Sequence, residues 1–163
     1  MSVSSPFEAA ASTSVGMGQV TFARGPARLS AVLGSCVGVA LFHPRARLGA
    51  LAHVVLPRAL KTAGAPCKFA DAAIPHMIEQ MERQGAGRGG LIAKIAGGAC
   101  MFGTRGPMQI GEQNVVAVVA ALDAARVRLL GQETGGTCGR RIMLDCADGA
   151  LRVETIGRPP KIF

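Results

Sequence analysis

Residues 36–56 read CVGVALFHPRARLGALAHVVL, and this stretch decides the fold class. Residues 36–42 are apolar or small, include two valines and a phenylalanine, and end at His43-Pro44. That length and composition favour a buried β-strand over a helix. HPRAR predicts a turn, and residues 48–56 predict a second apolar strand that ends at Pro57. We therefore expect the two strands to form a hairpin.

Further strands and two helices flank this hairpin. Ala73, Met77 and Met81 are spaced four residues apart and predict a helix over residues 68–84, and a second helix is predicted over residues 111–125. The remaining strand candidates are residues 20–23, 28–33, 91–95, 127–130, 141–145 and 151–156. The pattern predicts the α/β (α+β) class, with a mixed or antiparallel sheet system and two main helices.

The chain length and composition predict one domain. The 163 residues are 49% apolar and only 17% charged, which excludes a disordered chain. No apolar run reaches the length of a membrane span, so no membrane insertion is expected. We expect a flexible N-terminal tail at residues 1–15, a single domain at residues 16–158 and a C-terminal tail at residues 159–163.

Cysteine and histidine usage predicts a cytoplasmic protein without cofactors. The five cysteines are odd in number and irregularly spaced, and the N-terminus lacks the features of a secretory signal. A disulfide framework is therefore not expected, and a reducing compartment is. Neither a Cys-x-x-Cys nor a His-x-x-x-His pair occurs, and no glycine cluster continues into Gly-Lys-Ser/Thr. We expect no metal and no other cofactor.

The net charge of +8 predicts an acidic partner. Single-stranded nucleic acids are bound by aromatic platforms interleaved with basic residues, but this chain has no Trp or Tyr and its basic residues are scattered. We therefore favour an acidic protein surface over nucleic acid, with simple solubility as the alternative use of the charge.

Cys36 and His53 are the candidate reacting groups. If Leu41 pairs with Leu48 across the hairpin, Cys36 lies opposite His53, with Cβ atoms about 4.5–5.5 Å apart. A slip by one residue sends the two side chains to opposite faces. An imidazole beside a thiol stabilises the thiolate. The alternative is that both are core residues, since cysteine is among the most buried residue types.

Neighbouring residues supply the other roles that a nucleophilic cysteine needs. The Gly34-Ser35 turn before the cysteine can bend sharply and leave backbone N–H groups free to bind an oxyanion. Ser30, in the preceding strand, carries a hydroxyl that could orient the imidazole. The segment ETGGTCGR at residues 133–140 adds Thr134, Thr137 and Arg140, which could line a substrate cleft or simply form a loop.

At these segments the chain resembles the CheD family, the chemoreceptor glutamine deamidases of bacterial and archaeal chemotaxis. The resemblance runs from about residue 15 to residue 157 in matching order. The segments that carry it are VGMGQ, LGSCVGVALFHP, GALAHVVLP, KFADAAIPHMIEQMERQGA, LIAKIAGGACMF, IGEQN and ETGGTCGR.

The resemblance implies a function and a fold. CheD proteins hydrolyse glutamine side chains of methyl-accepting chemotaxis receptors to glutamate and ammonia through a cysteine thioester, without a cofactor. The family's cysteine aligns with Cys36, its histidine with His53 and its threonine with Ser30. Ala52 and Gln113 replace an asparagine and an arginine that are frequent in the family. The implied fold has layered sheets with flanking helices, as in the catalytic domains of cytotoxic necrotising factors.

Three other functions compete with deamidation. A CheD-like adaptor would bind receptors or a CheC-type phosphatase without catalysis. A small cysteine hydrolase would release ammonia from free glutamine. A nucleic-acid binder would lose affinity steeply with added salt. The presence of Cys36, His53 and a hydroxyl at position 30 favours an enzyme.

Overall fold

The computed structural model describes residues 11–59, 65–101 and 109–163. Its two α-helices are α1 (Ala70–Arg83) and α2 (Ile110–Ala124), and short 3₁₀ turns occupy Pro66–Lys68 and Arg88–Gly90. The strands are β1 (Thr13–Ser14), β2 (Val20–Arg24), β3 (Arg28–Leu33), β4 (Val37–His43), β5 (Leu48–Val54), β6 (Ile92–Gly97), β7 (Arg128–Thr134), β8 (Arg140–Asp145), β9 (Leu151–Thr155) and β10 (Lys161–Ile162).

The strands form two mixed five-stranded sheets. The central sheet has the order β2-β5-β4-β6-β7, and the outer sheet has the order β1-β3-β8-β9-β10. The β1–β3 and β6–β7 pairs are parallel, and the other pairs are antiparallel. Both helices pack on one face of the central sheet, and the outer sheet covers its other face. The predicted α/β class with two main helices is confirmed. No helix in the described ranges is long and apolar enough to cross a membrane.

The hairpin of β4 and β5 forms as predicted, but its register differs by two residues. Leu41 pairs with Ala50 rather than with Leu48, and His53 pairs with Gly38 rather than with Cys36. The cause is a shorter turn: His43 stays in β4, and its Nδ1 accepts the backbone N–H of Ala46 at 3.0 Å. Because side chains alternate with a period of two, this shift keeps Cys36 and His53 on one face.

The two faces of the hairpin have different neighbours. The face toward α1 and α2 carries apolar side chains from Val37 to Leu41 and from Leu48 to Val54. The face toward the outer sheet contains Cys36, Ala40 and Leu51, together with His53 by alternation. Both strands are buried along their whole length, as expected for the middle of a layered fold.

Short strands lie within both predicted tails. Thr13–Ser14 forms β1, Val15 is only 2% exposed, and the N–H of Val15 donates to the Ser30 carbonyl at 2.8 Å. At the other end, Lys161–Ile162 forms β10, and Phe163 exchanges two backbone hydrogen bonds with Leu151. The rest of the predicted N-terminal tail, residues 1–10, lies outside the described residues.

Candidate active site

Cys36 lies in a short bend at the start of β4, and backbone hydrogen bonds from the end of β6 hold this bend in place. The N–H of Gly98 donates to the Cys36 carbonyl, and the N–H of Ala99 donates to the Gly34 carbonyl, both at 2.9 Å. Gly97 must be a glycine here, because its φ is 110° and an added Cβ would stand 2.2 Å from the Cys36 carbonyl oxygen. The position of the thiol is therefore fixed by the sheet.

The thiol of Cys36 is nearly buried, at 8% exposure. Burial raises its pKa above the ordinary value, because a thiolate loses its hydration there. A nucleophilic role at neutral pH consequently requires a base that takes the proton during attack.

His53 is the candidate for that base. It is 5% exposed and lies diagonally across the ladder from Cys36, on the same face. Its Nδ1 is 3.0 Å from the carbonyl oxygen of Val15. A carbonyl oxygen only accepts hydrogen bonds, so Nδ1 carries a proton, and the lone pair of the neutral imidazole is on Nε2. The imidazole is thus held in the tautomer that a general base requires.

The loop at residues 15–19 also fixes the backbone of His53. The N–H of Gly18 donates to the His53 carbonyl at 2.8 Å, and the N–H of His53 donates to the Gln19 carbonyl at 3.0 Å. The Gln19 side chain closes the loop by accepting the N–H of Gly16 at 3.0 Å. This loop therefore determines both the position and the tautomer of the histidine.

The structure does not bring the Ser30 hydroxyl to His53. Leu29 and Ala31 point into the core between the sheets, so Ser30 points to the other face of β3. Its Oγ pairs with the Oγ of Ser12 at 2.9 Å. The contact predicted for the hydroxyl is instead made by the Val15 carbonyl. Ser30 supports the histidine only through its backbone carbonyl, which accepts the N–H of Val15.

Asn114 joins the segments that carry the two candidate reacting groups. Its Nδ2 donates to the Ser35 carbonyl at 3.0 Å and to the Val55 carbonyl at 2.9 Å. The first of these residues precedes Cys36, and the second follows His53 by two positions. Asn114 is fully buried in the first half of α2, and no donor among the described residues reaches its Oδ1.

The backbone at the predicted oxyanion position has free donors. Within the described part of the chain, no acceptor contacts the N–H groups of Ser35 and Cys36. Gly34 precedes them in the bend, as the sequence predicts. These two donors are the groups that could hold a negatively charged oxygen beside the thiol.

The three predicted cleft residues take different positions. Thr134 ends β7 opposite Gly97, and Thr137 is exposed in the following loop. Arg140 is buried, and its guanidinium donates to the Gly97 carbonyl at 3.2 Å and lies 3.9 Å from Glu133. Burial lowers the pKa of Arg140, and the Glu133 carboxylate opposes that shift.

Val15 and Asn114 were missed by sequence reasoning. The contribution of Val15 is a backbone carbonyl, which no side-chain pattern reports. Asn114 had a weak signal, since it directly precedes the apolar run of residues 115–122 in this helix and buried polar groups need partners. Its partners, however, come from loops 79 and 59 residues away along the chain.

Comparison with known families gives one match over more than half of the chain. The model of the family described as CheD, chemotactic sensory transduction, matches residues 55–155. A protein of Syntrophomonas wolfei named as a probable chemoreceptor glutamine deamidase CheD is 44% identical over 155 residues, covering 91% of this chain and 96% of its own. A protein of the same name from Moorella thermoacetica is 40% identical and covers 91% of this chain and 93% of its own.

Solved structures share the fold at low identity. The crystal structure of YlmD from Geobacillus stearothermophilus superposes with a TM-score of 0.50 and 17% identity, over 71% of this chain. The chain matches 50% of the length of that protein. This similarity concerns the arrangement of sheets and helices alone.

Proposed function

The chain belongs to the CheD family, and on that premise we propose that it is a chemoreceptor glutamine deamidase, with Cys36 as nucleophile and His53 as general base. The relatives named as deamidases align along nearly the whole chain. The observation that carries the proposal is the hydrogen bond from His53 Nδ1 to the Val15 carbonyl. In the neutral imidazole this bond leaves the lone pair on Nε2, and the ring lies on the face that also carries Cys36.

The proposed reaction begins with transfer of the Cys36 proton to Nε2 of His53. The thiolate sulfur attacks the side-chain carbonyl carbon of a glutamine, and the N–H groups of Ser35 and Cys36 hydrogen-bond to the resulting oxyanion. The imidazolium then returns its proton to the amide nitrogen, ammonia leaves, and a thioester remains. Water, deprotonated by the same imidazole, hydrolyses the thioester to glutamate and restores the thiol.

Other residues hold these groups in position. Val15 fixes the histidine tautomer, and Ser30 anchors Val15 through its backbone. Gly34 provides the bend before the nucleophile. Arg140 supports the same bend indirectly, since the Gly97 carbonyl that it binds precedes the N–H of Gly98, the donor to Cys36. Thr134, opposite Gly97, and Thr137, exposed in the following loop, are the proposed substrate contacts.

The proposed partners are the cytoplasmic helical domains of methyl-accepting chemotaxis receptors. The net charge of +8 supports association with an acidic surface, because opposite charges raise the encounter rate at low salt. A CheC-type phosphatase is a further proposed partner. Action on receptor cytoplasmic domains places the proposed activity in the cytoplasm, without membrane insertion and without nucleic acid.

The test is deamidation of a receptor cytoplasmic fragment, with converted glutamines located by peptide mass spectrometry. Cys36→Ala is expected to abolish conversion. Cys138→Ala is the matched control, because Cys138 is exposed and takes no part in the proposed chemistry. Conversion by Cys36→Ala would refute the assignment of the nucleophile. Binding of the fragment without conversion by the unaltered protein would support the adaptor function instead.

A further inference from the structure

A groove runs between α1 and α2 on the outside of the molecule. Its volume is about 1000 Å³, and it is lined mostly by apolar side chains of the two helices and of the segment that follows β5. A second cavity of about 730 Å³ adjoins one end of it, since Arg88, Ala124 and Ala125 line both. These shared residues make the two cavities one continuous surface, which we call the helix groove.

α2 lines the helix groove with an apolar stripe. Four alanines of this stripe follow the i, i+3, i+4, i+7 spacing of a single helix face, namely Ala117, Ala120, Ala121 and Ala124. Val116 lies beside them and is 55% exposed. Residues 115–122 are all apolar, so α2 carries more apolar surface than its contact with the central sheet covers. A continuous apolar stripe on the outside of a domain indicates a contact surface.

Positive charge is concentrated at the end of the helix groove where α2 ends. Arg88, Arg126 and Arg128 line this end. Within the described part of the chain, the guanidinium groups of Arg126 and Arg128 have no ion pair. At the opposite end, Arg58 and Asp71 balance each other in the lining. The free arginines therefore favour a partner that carries carboxylates near this end.

The opposite end of the helix groove adjoins the proposed reacting segments. Leu56 and Gln113 line the groove there. The residue after Gln113 is Asn114, whose amide donates to the Ser35 and Val55 carbonyls. A partner lying in the groove thus ends next to the backbone that positions Cys36 and His53.

The shape of the helix groove fits a helix better than a small molecule. Its apolar part follows α2 from Gln113 to Ala124, which is about 17 Å at 1.5 Å per residue. Ile110 and Val116 in its walls are 39% and 55% exposed, so the groove is open along one side. A small ligand would leave much of its surface in water there. A helix covers such a face, and alanines let the axes of packed helices approach closely.

We propose that the helix groove is a docking site for an acidic amphipathic helix of the receptor cytoplasmic domain, beside the site of deamidation. The proposal rests on the proposed deamidase function and names a second surface that holds the substrate. The apolar face of the receptor helix packs on the alanine stripe, and its carboxylates pair with Arg126 and Arg128.

Ala120→Glu tests the alanine stripe. Ala120 is exposed and glutamate is a strong helix former, so the fold should persist. The Kd of a receptor cytoplasmic fragment is measured by calorimetry in the Cys36→Ala background, where no conversion is expected. We expect the Kd to rise about tenfold, because a carboxylate would enter an apolar contact and repel an acidic helix. Ala72→Glu is the matched control, since it adds the same charge on α1 outside the groove.

Arg126→Gly tests the arginine end. Arg126 has a φ of 57°, a conformation that glycine adopts more readily, so this variant should fold at least as stably. Loss of one cation should raise the Kd about threefold at low salt and less at high salt. Arg47→Gly is the matched control, because Arg47 has a φ of 48° and lies in the turn between β4 and β5.

The docking site is overturned by an unchanged Kd in Ala120→Glu, by an equal rise in Ala72→Glu, or by failure of the fragment to bind at all. It is also overturned if Ala120→Glu abolishes self-association, which would assign the groove to a second copy. A small apolar anion that is retained in native mass spectrometry and lost in Ala120→Glu would overturn it as well. Binding without glutamate production would refute the deamidase function alone, because the Kd does not depend on the chemical step.

Discussion

The two faces of the β4–β5 hairpin belong to the same strands but carry different kinds of side chain. Toward the helices, residues such as Leu41 and Leu48 fill volume and are fully buried. Toward the outer sheet, Gly38 and Gly49 leave no side chain, and an added Cβ on Gly38 would stand 2.4 Å from Cδ1 of Ile142. Small residues thus let the second sheet approach closely around His53. Both faces are buried, but only the face toward the outer sheet also carries Cys36 and His53.

Buried polar groups accumulate near the proposed reacting groups. Asn114 and Arg140 both contact backbone carbonyls there, and each retains one buried polar atom without a partner among the described residues. An unpaired buried polar atom costs about 1–3 kcal/mol. Such local cost is expected where residues are held for function rather than for packing.

His53→Gln is the sharpest test of the proposed difference between the two faces of the hairpin. Loss of the general base should lower kcat by about 10²–10⁴-fold in the deamidation assay. His43→Gln is the matched control, because His43 is also buried but holds the turn at the far end of the hairpin through Ala46. Equal loss in both variants would break the proposed assignment of roles.

Leu41→Ala tests the helix-facing side. Removal of a fully buried leucine should lower the free energy of unfolding by about 2–5 kcal/mol, measured by urea denaturation. Below the unfolding transition, kcat should be unchanged, since the side chain faces away from Cys36. A matching loss of kcat in the folded variant would show that the two faces are coupled.

Asn114→Leu tests the connection between the reacting segments. Without the amide, the Ser35 and Val55 carbonyls lose a shared donor, and we expect kcat to fall about tenfold. The pH profile of Cys36 alkylation should shift as well. Leu122→Ala, on the same helix, should lower the free energy of unfolding and leave the pH profile of Cys36 alkylation unchanged. An unaltered profile in Asn114→Leu would contradict the positioning role.

Alkaline stability compares one buried thiol from each cluster. Burial raises the pKa of Cys67, beside the helices, and of Cys146, between the sheets, to about 11 from an ordinary 9.0. Between pH 9 and 11 the unfolded chain loses these protons while the folded chain keeps them, so stability should fall as pH rises. Each thiol contributes up to about 1.4 kcal/mol per pH unit.

Single variants separate the two thiols. Cys67→Ala and Cys146→Ala should each flatten the fall of the unfolding midpoint across this pH range, compared with the unaltered protein. A slope that neither variant changes would assign alkaline unfolding to other groups.

The smallest effect is expected from Ser30→Ala. The hydroxyl pairs with Ser12 and not with His53, so kcat should change by no more than about threefold, within the cost of an exposed hydrogen bond. A loss comparable to that of His53→Gln would restore the triad role that the sequence suggested for the hydroxyl.

The hairpin shows which features of the fold could be predicted from the sequence and which could not. Apolar runs separated by HPRAR identified both strands, and the period of two kept Cys36 and His53 on one face even though the pairing was displaced by two residues. The displacement arose because His43 binds the turn, a local contact that composition does not report. The short strands inside the two predicted tails, β1 and β10, were not predicted, because their pairing with β3 and β9 depends on distant parts of the chain.

By itself the sequence determined the fold class, the family and the two candidate reacting residues, because these depend on local periodicity and on the identity of the residues. Only the tertiary structure decided which groups hold them. The Val15 carbonyl fixes the histidine tautomer, and Asn114 joins two loops from the interior of α2. Backbone groups are the same at every residue, so their roles depend on where the folded chain places them.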